Sequence, residues 1–228
     1  MKSESTRRQF LKFGSLTGAV GLFAFSNPIT KALAASCGLT PPQTSGPFYP
    51  GKSQFHLDND LTQAKVGAPR AEGQIVYIRG QVQNNLCKPI QGAVVEIWQA
   101  CSSGRYNHKN DSNPAPLDPN FKYWGETQTD AKGEYIFKTI IPGAYPADQD
   151  WTRPPHVHFK VTRLGYKDLV TQLYFKGESL NDQDLILKEV PAAQRDSVIV
   201  EFSPSPVGFD PGTLIGTFNI TLNSVRNT

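Results

Sequence analysis

From residue 74 onward the chain is cut into seven short runs rich in β-branched and aromatic residues, and this rhythm is what most limits its fold. The runs are "QIVYIRGQV" (74–82), "AVVEIWQA" (93–100), "EYIFKTII" (134–141), "HVHFKVT" (156–162), "LVTQLYF" (169–175), "SVIVEF" (197–202) and "TFNITL" (217–222). Each is of strand length, and turn signals such as "TDAKGE" (129–134) separate them. Such a series predicts an all-β protein, an antiparallel β-sandwich with long loops. With 228 residues and 38% hydrophobic content there is enough apolar material for one such domain with a real core, and too little for two. Residues 35–73 are rich in Pro, Gly and Thr and read as an ordered arm or loop. The polar stretch "CSSGRYNHKNDSNPAPLDPNFKYWGET" (101–127) reads as one long loop, a length that usually serves function. No window resembles a 20-residue apolar span, so no membrane span is expected.

The first 34 residues are a separate object. Arg7 and Arg8 precede a modestly apolar stretch that ends on the small residues Ala32–Ala34, the order of an export signal, and the paired arginines resemble the twin-arginine class. Residues 1–34 are therefore expected to be a signal peptide and 35–228 the working domain, periplasmic or otherwise extracytoplasmic. Cutting after Ala34 removes a net +4, so the remainder falls from +3 to −1. No clustered basic surface is left to suggest nucleic acid as a partner.

Cys37, Cys87 and Cys101 all follow the proposed cut. An oxidising compartment suits one disulfide and one leftover thiol. The pairing is not readable, although strand ends that separate Cys87 from Cys101 favour a bond involving Cys37. "AASC" also weakly resembles a lipoprotein site at Cys37.

The stretch "WTRPPHVHFK" (151–160) carries two of the four histidines. At strand period, His156, His158 and Lys160 share one face, and Val157, Phe159 and Val161 take the other. The apolar trio can enter a core, which leaves two imidazoles side by side, about 7 Å apart at Cα. Pro154 and Pro155 stop ladder pairing upstream, so the strand should begin at His156. On the strand alone, two surface histidines with no ligand fit equally well. His56 and His108 lack the spacing of a zinc triad with this pair, no cysteine lies near it, and no carboxylate follows at a 2-His-1-carboxylate spacing. Tyrosines offer themselves instead: Tyr106 just after a strand end, and Tyr145 in the Pro/Gly-framed "IPGAYPADQDW". Phenolates are costly at neutral pH unless a strongly charged cation stabilises them, which points to iron(III).

"GQVQNNLCKPIQGAVVEIWQACSSGRY", "PGAYP", "WTRPPHVHF" and "TQLYF" occur in this order. The set resembles the intradiol ring-cleaving dioxygenases, most of all protocatechuate 3,4-dioxygenase subunits, over essentially the whole chain after residue 34. The resemblance implies a non-haem Fe(III) β-sandwich enzyme that uses O2 to open a catechol-type ring to a muconate-type diacid. It implies Tyr106, Tyr145, His156 and His158 as metal ligands, with Tyr145 like the tyrosine that leaves the metal and takes a substrate proton. Arg153 resembles the arginine that stabilises negative charge on the ring, and Gln172 a glutamine that hydrogen-bonds in the pocket. Trp98 and Trp151 are expected in the cavity wall or the core. "TPPQTSGPFYP" (40–50) resembles an arm that walls the substrate pocket, with Phe48 where tyrosine is usual and Ala147 where tryptophan is frequent. These departures touch the substrate walls and open catechol, as well as its carboxylated relative, as a substrate. A homo-oligomer is compatible with this reading. The alternative is a non-catalytic prealbumin-like or carbohydrate-binding sandwich.

Overall fold

The structure is a computed structural model that describes residues 36–51 and 58–225. The expected signal peptide and His56 lie outside the described residues. Twelve strands are present among them: β1 (Ile75–Asn84), β2 (Val94–Trp98), β3 (Trp124–Gln128), β4 (Glu134–Ile140), β5 (Tyr145–Asp148), β6 (Trp151–Arg153), β7 (His156–Thr162), β8 (Leu169–Phe175), β9 (Ile199–Val200), β10 (Phe202–Pro204), β11 (Leu214–Thr217) and β12 (Ile220–Leu222). One short helix, α1 (Leu185–Glu189), follows β8. No helix among the described residues is long and apolar enough to cross a membrane.

The strands form two five-stranded sheets. One runs β10-β11-β1-β12 with β4 also on β1, the other β3-β2-β7-β8-β9, and β5 and β6 make a separate hairpin. Alternation along β7 works as expected: Val157, Phe159 and Val161 enter the main core, as do Val76, Ile78 and Phe137 from the facing sheet. Phe159 meets Tyr135, Phe137 and Phe218 edge-on, at ring separations of 6.2, 6.5 and 5.0 Å. Those contacts join the inner faces into a sandwich.

Two expectations need correction. The sandwich is not wholly antiparallel, because β11 and β12 run parallel to β1, and β9 parallel to β8. Strand period predicts which face a residue takes but not the direction from which a returning strand arrives. The polar stretch 101–127 is also not all loop, since β3 pairs with β2, Trp98 opposite Trp124 and Glu96 opposite Glu126. Gly125 weakens the strand signal there, yet it is needed: a Cβ at that position would lie 2.6 Å from the Asp58 carbonyl oxygen.

The single disulfide among the described residues joins Cys37 to Cys87, and Cys101 is free and buried. A lipid thioether at Cys37 would need the same sulfur.

Candidate active site

Two tight turns bring the tyrosines together. The Cys101 carbonyl accepts from both Gly104 N (2.9 Å) and Gly143 N (3.0 Å), so "CSSGRY" and "PGAYP" are clipped to one acceptor. Neither glycine tolerates a side chain. A Cβ on Gly104, which sits at φ +82°, would lie 2.3 Å from the Ala144 oxygen, and one on Gly143 would lie 2.4 Å from the Ser102 oxygen. The backbones therefore touch, and the rings of Tyr106 and Tyr145 stand 5.5 Å apart, edge to face. Tyr145 opens β5 and pairs with Arg153 on β6. Pro154 and Pro155 then lead directly into β7, which starts at His156.

The four expected ligands converge. The Tyr106 hydroxyl lies 3.3 Å from His156 Nε2, the two imidazole centroids are 4.9 Å apart, and Tyr145 and His156 are 5.7 Å apart at their centroids. All four side chains are buried. The face of β7 that carries the imidazoles is thus covered, and the reading of two surface histidines fails. Trp98 pairs with His158 across β2 and β7 and stacks flat on it, 4.8 Å away with planes 4° apart.

The tautomer of His156 follows from its partners. Its Nδ1 lies 2.7 Å from the Pro154 carbonyl, which can only accept, so Nδ1 carries the proton. Burial first, and then the Arg153 charge, hold this imidazole well below its ordinary pKa, so it stays neutral and its Nε2 lone pair faces the cluster. His158 is likewise depressed by burial, His156 and Arg153, and its Nδ1 is buried without a hydrogen-bond partner. Burial, reinforced by Tyr145, pushes the Tyr106 phenol well up. Burial raises Tyr145 too, against the opposing pull of Arg153. Two neutral imidazoles and two phenols that ionise only beside a cation make a donor set suited to a highly charged metal. Among the described residues, no group of three or more His, Cys, Asp and Glu side chains gathers to hold a metal.

Arg153 is the hub behind this cluster. Its Nε and Nη2 grip Asp184 at 3.2 and 2.9 Å, a bidentate pair in which both side chains are buried. Nη2 also donates to Gln172 Oε1 (2.8 Å) and the Tyr174 hydroxyl (3.1 Å), and Nη1 to His156 Nε2 (3.1 Å). Burial opposes its charge, but Asp184 and the nearby phenols more than offset that and hold Arg153 firmly protonated. Gln172 does not line the cavity. It is fully buried and ties Arg153 to the N-terminal arm through Nε2 to the Thr44 carbonyl (2.9 Å).

Beside the cluster lies a cavity of about 450 Å³, bordered by Phe48, Asp111, Tyr145, Ala147, Trp151 and Arg153 among others. Trp151 therefore lines it, whereas Trp98 is buried behind His158. Phe48 packs on Tyr106 with ring centroids 4.7 Å apart, which places the 40–50 segment at the pocket wall as the resemblance implied. His108 stands near Phe48, 5.9 Å between centroids, and not among the four.

Asp184 and Tyr174 were not singled out in the sequence. Asp184 stands in "NDQDLILKE", where it caps α1 by accepting from Leu187 N (3.3 Å), so its sequence signal is that of a helix start. Tyr174 lies in "TQLYF" two residues after Gln172, and strand period alone would have put it on the same face.

A family model described as Dioxygenase matches residues 44–223. The chain is 43% identical over 162 residues to the protocatechuate 3,4-dioxygenase beta chain of Burkholderia cepacia, covering 69% of this chain and 68% of that one. It is 31% identical over 171 residues to the catechol 1,2-dioxygenase of Candida albicans, which covers 69% of this chain but only about half (52%) of that enzyme. Among solved structures, the dioxygenase domain of a dioxygenase carbohydrate-binding protein fusion from Streptomyces sp. SirexAA-E superposes with a TM-score of 0.62 at 26% identity, over 82% of this chain and 100% of that one. A sandwich whose buried Tyr, Tyr, His, His cluster adjoins a cavity, together with these matches, shows that the chain belongs to the intradiol ring-cleaving dioxygenases.

Proposed function

We propose that the chain holds a non-haem iron(III) through Tyr106, Tyr145, His156 and His158 and cleaves a catechol-type ring with O2 to a muconate-type diacid. The observation that carries the reading is the convergence of two phenols and two neutral imidazoles, with Tyr106 Oη and His156 Nε2 3.3 Å apart. That spacing suits two donors that each bond one ion at about 2 Å. When bound, ferric iron supplies the Lewis acid that draws electron density from a chelated diol and prepares its ring for O2.

The chain's own residues do the rest. A catechol must shed phenolic protons as it binds, and Tyr145, which would be a phenolate where a bound cation balances its charge, is placed at the cavity wall beside Arg153 to accept one at its oxygen. Tyr106 is clamped by its backbone N–H on Asp111 Oδ2 (2.6 Å) and sits deeper in the protein, which suits a ligand that stays. Arg153 lines the cavity with its charge fixed by Asp184, so it can stabilise negative charge that develops on the ring. Gln172 positions Arg153 and does not touch the substrate. Phe48, Trp151 and Ile186 supply apolar wall against the ring. Matches to catechol and protocatechuate dioxygenases support a substrate in this range.

The first 34 residues are proposed as a twin-arginine export signal. The Cys37–Cys87 disulfide supports it, since such bonds persist in oxidising compartments.

Colour provides the test. Iron-loaded protein should show a reddish tyrosinate-to-iron(III) band and consume O2 with a catechol. Tyr106→Phe should remove most of the band and the activity; a variant that stays coloured and fully active refutes the ligand assignment.

A further inference from the structure

We infer that this active site selects uncharged catechols and discriminates against carboxylated ones, an inference that rests on the ring-cleaving reading above. The cavity is lined by two charged side chains among the described residues, Asp111 and Arg153. The cation is mostly engaged. Arg153 gives Nε and Nη2 to Asp184 and Nη2 again to Gln172 and Tyr174, and its side chain is only 3% exposed. Nη1 is left for the site, and it lies 3.1 Å from His156 Nε2, at the proposed ligands and the ring they would hold. A substituent carboxylate could recruit the other edge only by breaking a buried bidentate pair.

The remaining charge has the wrong sign for an acid. Asp111 is held at the wall by two backbone donors, Tyr106 N on Oδ2 (2.6 Å) and Asn113 N on Oδ1 (2.9 Å), so it cannot swing away without releasing the turn that presents Tyr106. Among the described residues the rest of the mouth consists of neutral groups: Asn110 and Ser112 are exposed there, and Pro146 and Ala147 close the other side. Amide and hydroxyl groups match a neutral polar substituent such as a hydroxyl or ether, and they offer no counter-charge to a carboxylate. Moreover, the volume of about 450 Å³ lies well within the range of pockets that take ligands larger than one bare ring. The fitting class is a catechol with a neutral substituent, or catechol itself.

The test is competition within one enzyme. Iron-loaded full-length protein is assayed by O2 uptake with catechol, 1,2,4-trihydroxybenzene and 3,4-dihydroxybenzoate, at low and at high salt. The expected kcat/KM for the better uncharged diol exceeds that for the benzoate by about tenfold or more at low salt, and the ratio narrows as salt screens Asp111. Asp111→Asn should narrow the same ratio at low salt. Because the ratio is taken within each variant, partial iron loading or partial folding does not move it. Equal or better turnover of the benzoate overturns the inference and leaves the ring-cleaving function standing, as does a preference that neither salt nor Asp111→Asn changes. Coloured, iron-loaded protein that cleaves none of the three diols overturns the function itself, and the inference falls with it.

Discussion

Replacing Asp184 by Asn keeps the shape of the side chain and its ability to cap α1 but removes the negative charge that faces Arg153. Both members of the pair are fully or almost fully out of water, with side-chain exposures of 3% and 0%, so solvent offers little screening. Breaking such a pair on one side leaves an uncompensated buried cation, which costs about 3–5 kcal/mol. The guanidinium retains Gln172 and Tyr174 as partners, so the lower end of that range is expected for Asn. Ala would add about 1 kcal/mol for the lost cap on Leu187 N. For a domain of this size, 3 kcal/mol corresponds to a drop in Tm of about 6–12 °C. Urea denaturation of wild type, Asp184→Asn, Asp184→Ala and the pair Arg153→Met/Asp184→Leu measures each step, and the double variant should recover most of the loss by removing both charges. If Asp184→Asn lies within about 1 kcal/mol of wild type with an unchanged slope, the account of Arg153 as a charge fixed by Asp184 is wrong.

Three further outcomes follow from other parts of the structure. Gly104→Ala places a Cβ 2.3 Å from the Ala144 oxygen at a positive φ, so it should cost about 2–4 kcal/mol and reduce activity by displacing Tyr145; circular-dichroism melts and O2 uptake measure both. Converting Cys37 and Cys87 together to Ser opens a loop with a sequence separation of 50, and the urea midpoint should fall by an amount worth about 2–4 kcal/mol; an unchanged midpoint refutes a stabilising role. In chelator-treated protein, His156 and His158 have depressed folded pKa values, so their contribution is intact above about pH 6.5 and is lost as pH falls below it, because the unfolded chain takes up protons first. Stability should then decline by up to about 2.7 kcal/mol per pH unit below that point, and His156→Asn should lower the slope.

Much of the site was legible because strand period and order in the chain are local properties. "HVHFKVT" states its two faces outright, and β7 occupies the expected residues 156–162. The glycines and prolines around Tyr106 and Tyr145 mark turns, and the family resemblance tied those turns to the histidines. Asp184 was hidden for a physical reason: its bond to Arg153 spans 31 residues, and its only local role is to start a short helix. The parallel placement of β11 and β12 against β1 was hidden in the same way, since it depends on a return across more than 130 residues that no local pattern encodes. β3 was missed because Gly125 and flanking polar residues give little strand signal, and the reason for that glycine, the approach of Asp58, lies far away in sequence.

The arm explains why an outward-facing pair of imidazoles can become a site at all. Strand period puts His156, His158, Gln172 and Tyr174 on the sheet face opposite the core, where they would ordinarily meet water. In the structure Gln43 lies across that face like an added rung: its N–H donates to the Val170 carbonyl (2.8 Å), its Oε1 accepts from Gln172 N (2.9 Å), and its Nε2 donates to the Tyr174 hydroxyl (3.1 Å). Gly46 then passes His158, with a built Cβ 3.5 Å from the ring, and Phe48 reaches Tyr106. Burial is the largest cause of the depressed histidines and raised phenols, so a segment with almost no regular structure of its own helps to set the protonation of the proposed ligands. Gln43→Ala should therefore leave the sheets intact yet weaken the hold on Arg153 through Gln172 and Tyr174, lowering kcat more than thermal stability. A variant with wild-type kcat would show that the arm only covers the site and does not order it.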